Sequence, residues 1–354
     1  MKREEDIRYA ATPSAKRYHD VGRLEAQKNG IFLRAFQPVP ELPEGSSQQP
    51  FTLLPGFLDE PLIRTRNGAG EEHCLSNVCT HRGMILCDAV GHSKNLRCPY
   101  HGRRFSLNGH LVEAPGFEEA CDFPRERDNL ASLTMHAWGP LSFVQLERTN
   151  AFDSWIAPLR ERLGFLPLSE FRLDFEGVQV FEMDAHWELY VENYLEGFHV
   201  PWVHKSLAAA IDTKDYRLES FPEGSVQIAL AKGQSEFDLP SDHPEHGLPV
   251  AAWYFHLFPN VMVNVYPWGL SLNVVEPVNC NRTRVRFLPY IWRPELRAAG
   301  AGVGLDRVEM EDEAVVEAVH LGLRSRLYPG GRYAPGHEDG LFYFHRLVEE
   351  KTWE

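Results

Sequence analysis

The chain has 354 residues, of which 43% are hydrophobic and 24% are charged. These values are near the averages of soluble globular proteins, so they exclude a disordered chain, a collagen-like fibre and a coiled coil. The length predicts about two domains, with a core large enough to form without disulfide bonds. A formal net charge of -14 argues against a protein that binds nucleic acid or an anionic membrane surface.

The first part of the chain is expected to be helical and the second to be built of strands. The apolar pattern over 13–28 predicts a helix that stops at Asn29 and Gly30, and we assign 1–30 to a helical segment that packs with the C-terminal domain. From 31 to 150, short apolar runs alternate with Gly, Pro, Asn and Asp, which is typical of an all-β module. No apolar run reaches signal-peptide or membrane-spanning length, so we expect a cytoplasmic protein.

The remainder, 151–354, has the mixed texture of an α+β domain. The predicted elements, in chain order, are a helix over 151–163, a strand and then a helix over 182–200, antiparallel strands over 251–275 and a helix over 306–323. The fold class is therefore predicted to be α+β, with the all-β module inserted into a larger domain. The glycine-rich stretch 300–304 lacks the G-x-G-x-x-G pattern of dinucleotide-binding loops, so no nicotinamide site is expected in this chain.

Two short segments of the β-module place cysteine beside histidine. Cys79 and His81 form a C-x-H box, and Cys98 and His101 form a C-x2-H box. Such ligands suit tetrahedral zinc, but they also suit a [2Fe–2S] cluster in which two cysteines hold one iron and two histidines the other. We favour the cluster because each box supplies one ligand of each type, whereas zinc modules more often pair like with like. The remaining cysteines are interpreted as structural residues: Cys74, Cys87, Cys121 and Cys280.

Both boxes resemble those of Rieske domains, and the CPYHG segment that contains Cys98 and His101 is among the most specific signatures of that class. The resemblance implies a Rieske [2Fe–2S] domain over 31–150. Many ring-hydroxylating members have Trp after the CPYHG glycine, whereas this chain has Arg103 and Arg104. We interpret the arginine pair as a docking face for an acidic electron donor or as a solvated surface pair.

A second group of candidate ligands lies well downstream. Glu196 and His199 are three residues apart and share a face if the segment is helical. His199 and His204 would diverge on a straight helix, but Pro201 is expected to kink or end the helix and to bring the two rings together. Two imidazoles and one carboxylate form the facial triad that holds non-haem Fe(II) and leaves positions open for oxygen. The residues alone leave open which carboxylate completes this triad.

The segment 196–204 resembles the D/E-x2-H-x4-H motif of Rieske non-haem iron oxygenases, and the chain from about 13 to 350 resembles their large, α-type subunit. The resemblance implies a catalytic domain over 151–354 with a helix-grip fold and an antiparallel sheet. It also implies that Asp312 is the third iron ligand. The neighbouring acidic residues are the alternatives: Glu309, Glu311 and Glu313.

The same resemblance gives Glu196 a different role. In the family, the carboxylate at this position bridges the two redox centres. We therefore expect Glu196 to link the iron ligand His199 to His101 of the partner subunit. Asn193, which lies one helical turn earlier, is a candidate for a supporting contact to the iron ligands.

Aromatic residues near the second motif and in the later strands are assigned by position. Those around the motif are interpreted as core residues: Trp187, Tyr190, Tyr194 and Phe198. Those in the strand region are expected to floor a substrate pocket: Tyr254, Phe255, Phe258, Tyr266 and Trp268. Such rings can hold a quaternary ammonium ion by cation–π attraction, clamp an aromatic ring or simply pack the sheet.

The resemblance implies a terminal oxygenase. Electrons from NAD(P)H would reach the Rieske cluster through a separate reductase or ferredoxin and pass to a mononuclear Fe(II), where O2 oxidises a small organic substrate. A homotrimer is expected, in which each cluster serves the iron of a neighbouring subunit. The chain resembles members akin to choline monooxygenase, and this resemblance favours hydroxylation or oxidative demethylation of the substrate. Dihydroxylation of an aromatic ring stays open as an alternative. The alternative from another class is a Rieske electron-transfer protein without oxygenase activity.

Overall fold

A computed structural model describes residues 6–149, 151–212, 215–233, 235, 237–297 and 305–353. The chain divides into two compact units. Arg34–Thr149 form one, called here the β-unit, and the segments before and after it form the other, called here the larger unit. Residues 1–5 and the glycine-rich stretch 300–304 lie outside the described residues. In the described part of the chain, no helix is long and apolar enough to cross a bilayer.

The β-unit consists of short antiparallel strands. These are β1 (Gln37–Pro38), β2 (Gln48–Leu53), β3 (Glu60–Arg66), β4 (Glu72–Ser76), β5 (Asn95–Arg97), β6 (Arg104–Ser106), β7 (Leu111–Glu113), β8 (Ser132–Leu133), β9 (His136–Trp138) and β10 (Leu141–Val144). They form sheets of order β2-β3-β4-β8, β5-β6-β7 and β1-β10-β9. Ile63, Leu75 and Phe105 are fully buried in one core cluster, which also contains Cys79 and Cys98. The predicted all-β module is confirmed, and its core holds the two candidate cysteines.

The N-terminal segment departs from its predicted end. A 3-10 turn over Ala15–His19 precedes α1 (Val21–Gln27), and the chain then continues as a π-helical turn over Lys28–Phe32. The stop predicted at Asn29 and Gly30 is therefore wrong. A Cβ on Gly30 would lie 2.4 Å from the carbonyl oxygen of Lys351. The glycine permits close packing against the C-terminal helix and does not end the helix.

The larger unit combines an antiparallel sheet with helices. The strands are β11 (Arg172–Leu173), β12 (Gln179–Met183), β13 (Arg217–Phe221), β14 (Gly224–Leu230), β15 (Val250–Leu257), β16 (Val261–Tyr266), β17 (Gly269–Asn279) and β18 (Arg282–Ile291). The further helices are α2 (Phe152–Leu163), α3 (Trp187–Tyr194), α4 (Val200–Val203), α5 (Lys205–Ala210), α6 (Leu305–Gly322) and α7 (Asp339–Thr352). The sheet order is β11-β18-β17-β16-β15-β14-β13, and β12 also pairs with β18. The predicted α+β class is confirmed.

The central strands have two chemically different faces. Tyr254 pairs with Asn264, which pairs with Ser271, so these polar residues form a row across β15, β16 and β17. The next row on the opposite face contains Phe255, which is fully buried. Because successive side chains of a strand point to opposite faces, one face packs in the core and the other is available to a site.

Helix α3 is anchored by a buried polar network. Glu188 is fully buried and pairs with the guanidinium of Arg17 at 2.5 Å. Glu192 accepts a hydrogen bond from the hydroxyl of Tyr18 at 2.8 Å and lies 3.0 Å from Nε2 of His345. Glu188, Glu192 and His345 are close enough to hold a metal ion, but the Arg17 cation already compensates Glu188. The network therefore fixes α3 through paired charges.

Candidate functional site

The two cysteine–histidine boxes fold into matching turns of the β-unit. The first follows β4 and the second joins β5 to β6. In each turn a glycine N–H donates to the cysteine carbonyl, from Gly83 to Cys79 at 3.0 Å and from Gly102 to Cys98 at 3.1 Å. These glycines have φ of 72° and 75°, a backbone conformation that residues with a Cβ rarely adopt. Both glycines are thus required by the turns that present the cysteines.

The structure brings the four predicted cluster ligands together. Cys79 and Cys98 are buried, and their thiols are in hydrogen-bonding contact. The rings of His81 and His101 have centroids 4.7 Å apart. The Nδ1 atom of His81 is buried and has no hydrogen-bond partner among the described residues. An unpartnered ring nitrogen beside two thiols and a second imidazole fits the donor set of a [2Fe–2S] cluster.

His199, His204 and Asp312 also converge, although Asp312 is distant in the sequence. Their ligand atoms all lie within 4.8 Å of one another. Asp312 Oδ1 is 2.9 Å from His204 Nε2 and 3.6 Å from His199 Nε2. His199 directly precedes α4, His204 lies between α4 and α5, and Asp312 belongs to α6. Two imidazoles and a carboxylate facing one point fit a mononuclear non-haem iron.

Each histidine of this triad is held through its other ring nitrogen by a glutamate. Glu196 Oε1 lies 2.6 Å from His199 Nδ1, and Glu196 Oε2 accepts the backbone N–H of His199 at 2.9 Å. Glu311 Oε2 lies 2.9 Å from His204 Nδ1. Such carboxylate contacts fix the ring orientation and the tautomer, and they leave Nε2 for the metal. Glu196 and Glu311 thus orient the two imidazole rings through Nδ1, the ring nitrogen that faces away from Asp312.

Further contacts tune the carboxylate and the second histidine. The amide of Asn193 donates to Asp312 Oδ1 at 2.6 Å. Burial alone would lower the pKa of His204, but its hydrogen bonds to Asp312 and Glu311 more than offset this effect and raise the pKa. A raised pKa favours the protonated ring, so a metal at Nε2, which requires the neutral imidazole, competes with a proton.

The local backbone differs from the helix expected across this motif. Helix α3 ends at Tyr194, before Glu196, and Pro201 occupies the first turn of the new helix α4. The predicted kink at Pro201 is wrong, because proline is tolerated in the first turn of a helix, where the N–H groups have no intrahelical partner. The two histidines instead cap the opposite ends of the short helix α4, and this single helical turn brings His199 and His204 together.

A pocket of about 110 Å³ opens beside the triad. Tyrosines supply much of its wall: Tyr190, Tyr194, Tyr216, Tyr254 and Tyr266. The ring planes of Tyr254 and Tyr266 meet at 78°, and those of Tyr194 and Tyr254 at 89°. Adjacent rings therefore form walls at nearly right angles. A Cβ on Gly197 would lie 2.8 Å from the Tyr216 ring, so the ring can occupy this position only because residue 197 has no side chain.

The aromatic assignments from the sequence were only partly correct. Trp187 is fully buried, as predicted, but Tyr190 and Tyr194 line the pocket, and Phe198 is 47% exposed. Of the residues expected to floor the pocket, Tyr254 and Tyr266 do so. The other three are core residues that lie outside the described lining: Phe255, Phe258 and Trp268. Phe255 alternates with Tyr254 along β15, and Trp268 stacks against the Tyr266 ring at 5.1 Å.

A buried carboxyl group faces the same pocket. Glu309 is 7% exposed, and both of its carboxyl oxygens accept from the Tyr190 hydroxyl, at 2.8 and 2.9 Å. Burial raises the pKa of Glu309 well above its usual value. None of the described lining residues is Lys or Arg. The described lining of the pocket therefore offers carboxyl oxygens but no cationic Lys or Arg side chain to pair with an anion.

The interpretation of Arg103 and Arg104 as a surface pair is wrong for Arg103. Arg103 is 3% exposed, so it is neither a docking face nor a solvated residue, whereas Arg104 is partly exposed and pairs with Glu113 at 3.2 Å. Of the cysteines interpreted as structural, Cys74 and Cys280 are buried but Cys121 is exposed. Burial of Arg103 was not detectable from the sequence, because it depends on packing against residues that follow later in the chain.

Comparison with known proteins decides the family. Residues 39–131 match the Rieske [2Fe-2S] domain, and residues 171–353 match the family described as the ring hydroxylating alpha subunit (catalytic domain). Choline monooxygenase of Arabidopsis thaliana is 31% identical over 96% of this chain and 82% of its own length. The chain belongs to the Rieske non-haem iron oxygenases. It is a terminal oxygenase subunit, and its cofactors are a Rieske [2Fe–2S] cluster and a mononuclear iron.

Other relatives of this Rieske oxygenase agree with that assignment. The carnitine monooxygenase oxygenase subunit of Escherichia coli K12 is 24% identical over 96% of this chain and 94% of its own length. A quaternary ammonium Rieske monooxygenase in complex with L-carnitine has a TM-score of 0.79, 22% identity and coverage of 98% and 97% of the two chains. Naphthalene 1,2-dioxygenase from Rhodococcus has a TM-score of 0.73 and 18% identity over 96% and 94%. The family uses O2, an electron donor and an organic substrate.

Sequence reasoning missed several residues of this Rieske oxygenase site. Glu311 was considered only as an alternative ligand, although it contacts His204 through the ring nitrogen remote from Asp312. Glu309 was considered in the same way, although it contacts Tyr190. Tyr216 carried no motif. The only available signal was the helical spacing of the acidic stretch, which places Glu309 and Asp312 on one face of α6.

Proposed function

We propose that this Rieske oxygenase hydroxylates or demethylates a small quaternary ammonium compound that carries no anionic group. The observation that carries the proposal is the set of tyrosine walls beside the triad, whose neighbouring rings stand at 78° and 89° to each other. Rings arranged as an aromatic cage recognise quaternary ammonium ions through the negative faces of their π systems. The cation cannot form hydrogen bonds through its nitrogen, so such a cage is its natural partner.

The charges of the pocket favour the same class of substrate. Glu309 provides a buried carboxyl group, and a nearby cation favours its ionised form. Carnitine carries a carboxylate, for which the described lining residues offer no Lys or Arg partner. Among the relatives, choline monooxygenase acts, as its name says, on a cation without a carboxylate. We therefore place the substrate closer to choline than to carnitine.

Each group of residues in the site has its own role in the proposed reaction. His199, His204 and Asp312 would hold the iron, and Cys79, His81, Cys98 and His101 would hold the cluster. When bound, the iron supplies the activation of O2. Glu196 and Glu311 keep the two imidazoles oriented, and the tyrosine walls exclude water and hold the cation. In the net reaction, one oxygen atom enters a C–H bond of the substrate and the other leaves as water, with two electrons taken from NAD(P)H.

Partners and assembly are part of the proposal. A separate reductase or ferredoxin is expected to deliver the electrons, and Glu196 is expected to connect His199 to His101 of the partner subunit in a homotrimer. One solved relative is described as showing inter-subunit electron transfer, which supports this assembly. We also propose the domain boundaries predicted from the sequence, which are 1–30, 31–150 and 151–354. The cytoplasmic location is likewise a prediction. The mass of the holoprotein by light scattering tests the trimer.

A matched pair of ligands tests the substrate class. We would measure O2 uptake, NADH consumption and product with a surrogate reductase. Choline should support coupled turnover. Its uncharged isostere 3,3-dimethylbutan-1-ol, in which carbon replaces the nitrogen, should support little, because it loses the cation–π attraction at equal size. Carnitine and naphthalene complete the panel. Equal turnover of choline and the isostere, or turnover of naphthalene to a dihydrodiol, would exclude the proposed class.

A further inference from the structure

Arg103 is a buried cation within the β-unit, two residues after the predicted cluster ligand His101. Its side chain is enclosed by aromatic rings, with the guanidinium carbon 4.4 Å from the ring centroid of Phe117 and 5.1 Å from that of Phe123. The residue is 3% exposed. A guanidinium stays charged at any pH at which the protein is folded, so this site holds a permanent positive charge away from water.

The side chain is tied to the first cluster turn. Arg103 Nη1 donates to the hydroxyl of Thr80 at 3.1 Å, and Thr80 lies between the ligands Cys79 and His81. The Thr80 hydroxyl in turn donates to the carbonyl of Asp128 at 2.7 Å. The backbone of Arg103 also contacts the second turn, because its carbonyl accepts the N–H of Cys98 at 2.7 Å. The cation is therefore held in place relative to both ligand turns.

The positive charge is incompletely neutralised. The nearest carboxylate, Asp128, has an oxygen 3.8 Å from Arg103 Nη1, longer than a hydrogen bond. Arg103 Nε is buried and has no hydrogen-bond partner among the described residues. The Arg103 charge is thus only partly balanced within the β-unit.

We infer that Arg103 raises the reduction potential of the [2Fe–2S] cluster by acting as a fixed buried cation beside its ligand turns. Reduction by the electron donor adds one negative charge to the cluster. A positive charge in a low-dielectric surrounding stabilises that form more than the oxidised form. Arg103 contacts no substrate and acts only by stabilising the reduced cluster. It is therefore a positioning residue and not a catalytic one. This inference is independent of the substrate class proposed above.

Potentiometric titration of the holoprotein, followed by EPR of the reduced cluster, tests the inference. In Arg103→Gln the equilibrium constant for reduction should fall about tenfold, which corresponds to ~59 mV for one electron. Arg103→Lys keeps the charge and should keep most of the potential. Arg104→Gln is the matched control, because Arg104 is partly exposed and pairs with exposed Glu113, and it should leave the potential nearly unchanged.

A charge change of opposite sign completes the test. Asp128→Asn removes the carboxylate near Arg103 and should raise the potential, while the amide oxygen can still accept the backbone N–H of Arg125. If Arg103→Gln fails to assemble a cluster, the Asp128→Asn potential decides, and an unchanged or lower value overturns the inference. Equal shifts in Arg103→Gln and Arg103→Lys would show a purely structural role and would also overturn it.

Discussion

Glu196 and Asp312 lie on opposite sides of the proposed iron ligand His199, and their amide variants should behave differently. Glu196 uses both carboxylate oxygens on His199, one on Nδ1 at 2.6 Å and one on the backbone N–H at 2.9 Å. Asp312 approaches the Nε2 atoms of both histidines. Glu196→Gln should therefore retain mononuclear iron, whereas Asp312→Asn should lose most of it.

The magnitude follows from the hydrogen bonds of Glu196. A glutamine has one carbonyl oxygen, so one of the two N–H donors of His199 must face an amide N–H₂ in either orientation of the side chain. Loss of one hydrogen bond to a charged acceptor costs about 1.5–3 kcal/mol. Changes of this kind behind a metal ligand weaken metal affinity by about 10–100-fold. Iron supplied well above that weakened dissociation constant should still fill the site in Glu196→Gln.

The two variants would be compared side by side. Total iron and acid-labile sulfide give the mononuclear iron after subtraction of the cluster, and EPR with nitric oxide detects that iron directly. Stopped-flow reoxidation of the reduced cluster reports electron transfer, which should be severely slowed in Glu196→Gln because the neutral amide has only one acceptor atom. The intact Rieske spectrum serves as the folding control. Loss of iron from Glu196→Gln together with its retention in Asp312→Asn would refute the assignment of both residues.

The remaining predictions concern substrate, stability and the pocket wall. Glu309→Gln should raise KM for a quaternary ammonium substrate about tenfold, or ~1.4 kcal/mol, with little effect on kcat; an unchanged KM would remove Glu309 from cation recognition. Arg17→Met should destabilise the fold by about 3–5 kcal/mol in urea unfolding at pH 7, because it leaves Glu188 buried and uncompensated. Burial alone would raise the pKa of Glu188, but the Arg17 charge more than offsets this and lowers it from 4.5 to about 2. The wild-type contribution, about 3 kcal/mol, is complete above pH 4.5 and should be lost as the pH falls towards 2. This dependence should be much weaker in the variant, in which only His186, Gln27 and His345 still lower the pKa of Glu188. Gly197→Ala should displace the Tyr216 ring and raise KM while mononuclear iron is retained; an unchanged KM would show that the ring position is unimportant.

Local patterns in the sequence predicted much of this protein. The spacing of Cys79, His81, Cys98 and His101 sufficed to predict a Rieske domain and its cluster, because each Cys–His pair lies on one short turn with its own glycine. Strand alternation and helical periodicity likewise predicted the α+β fold. What these patterns could not provide was the partner of a side chain across the fold, since Glu311 contacts His204 from another helix.

The sequence predicted that certain aromatic side chains are buried, but it did not predict what those side chains do. Tyr190 is buried and Tyr194 is half-buried, as the apolar pattern of their helix indicated, but the pattern does not distinguish a core from a pocket wall. Arg103 presents the reverse case, since a charged residue in a polar turn is normally assigned to the surface. Its burial depends on two phenylalanines further along the chain, and no local rule connects them.

The alternation along β15, β16 and β17 also bears on how enzymes of this kind diverge. The residues of these strands that line the pocket, Tyr254, Asn264, Tyr266, Ser271 and Asn273, all lie on one face, so new substrate preferences can evolve there while the opposite face, which stabilises the fold, remains the same. The polar positions are less independent, because Ser271 donates to Asn273 at 2.6 Å and Asn264 accepts from Tyr194 at the same distance. Each of these pairs is expected to change together. Tyr254 is likewise hydrogen-bonded to Tyr266, so a library of variants meant to broaden specificity should vary these two positions together.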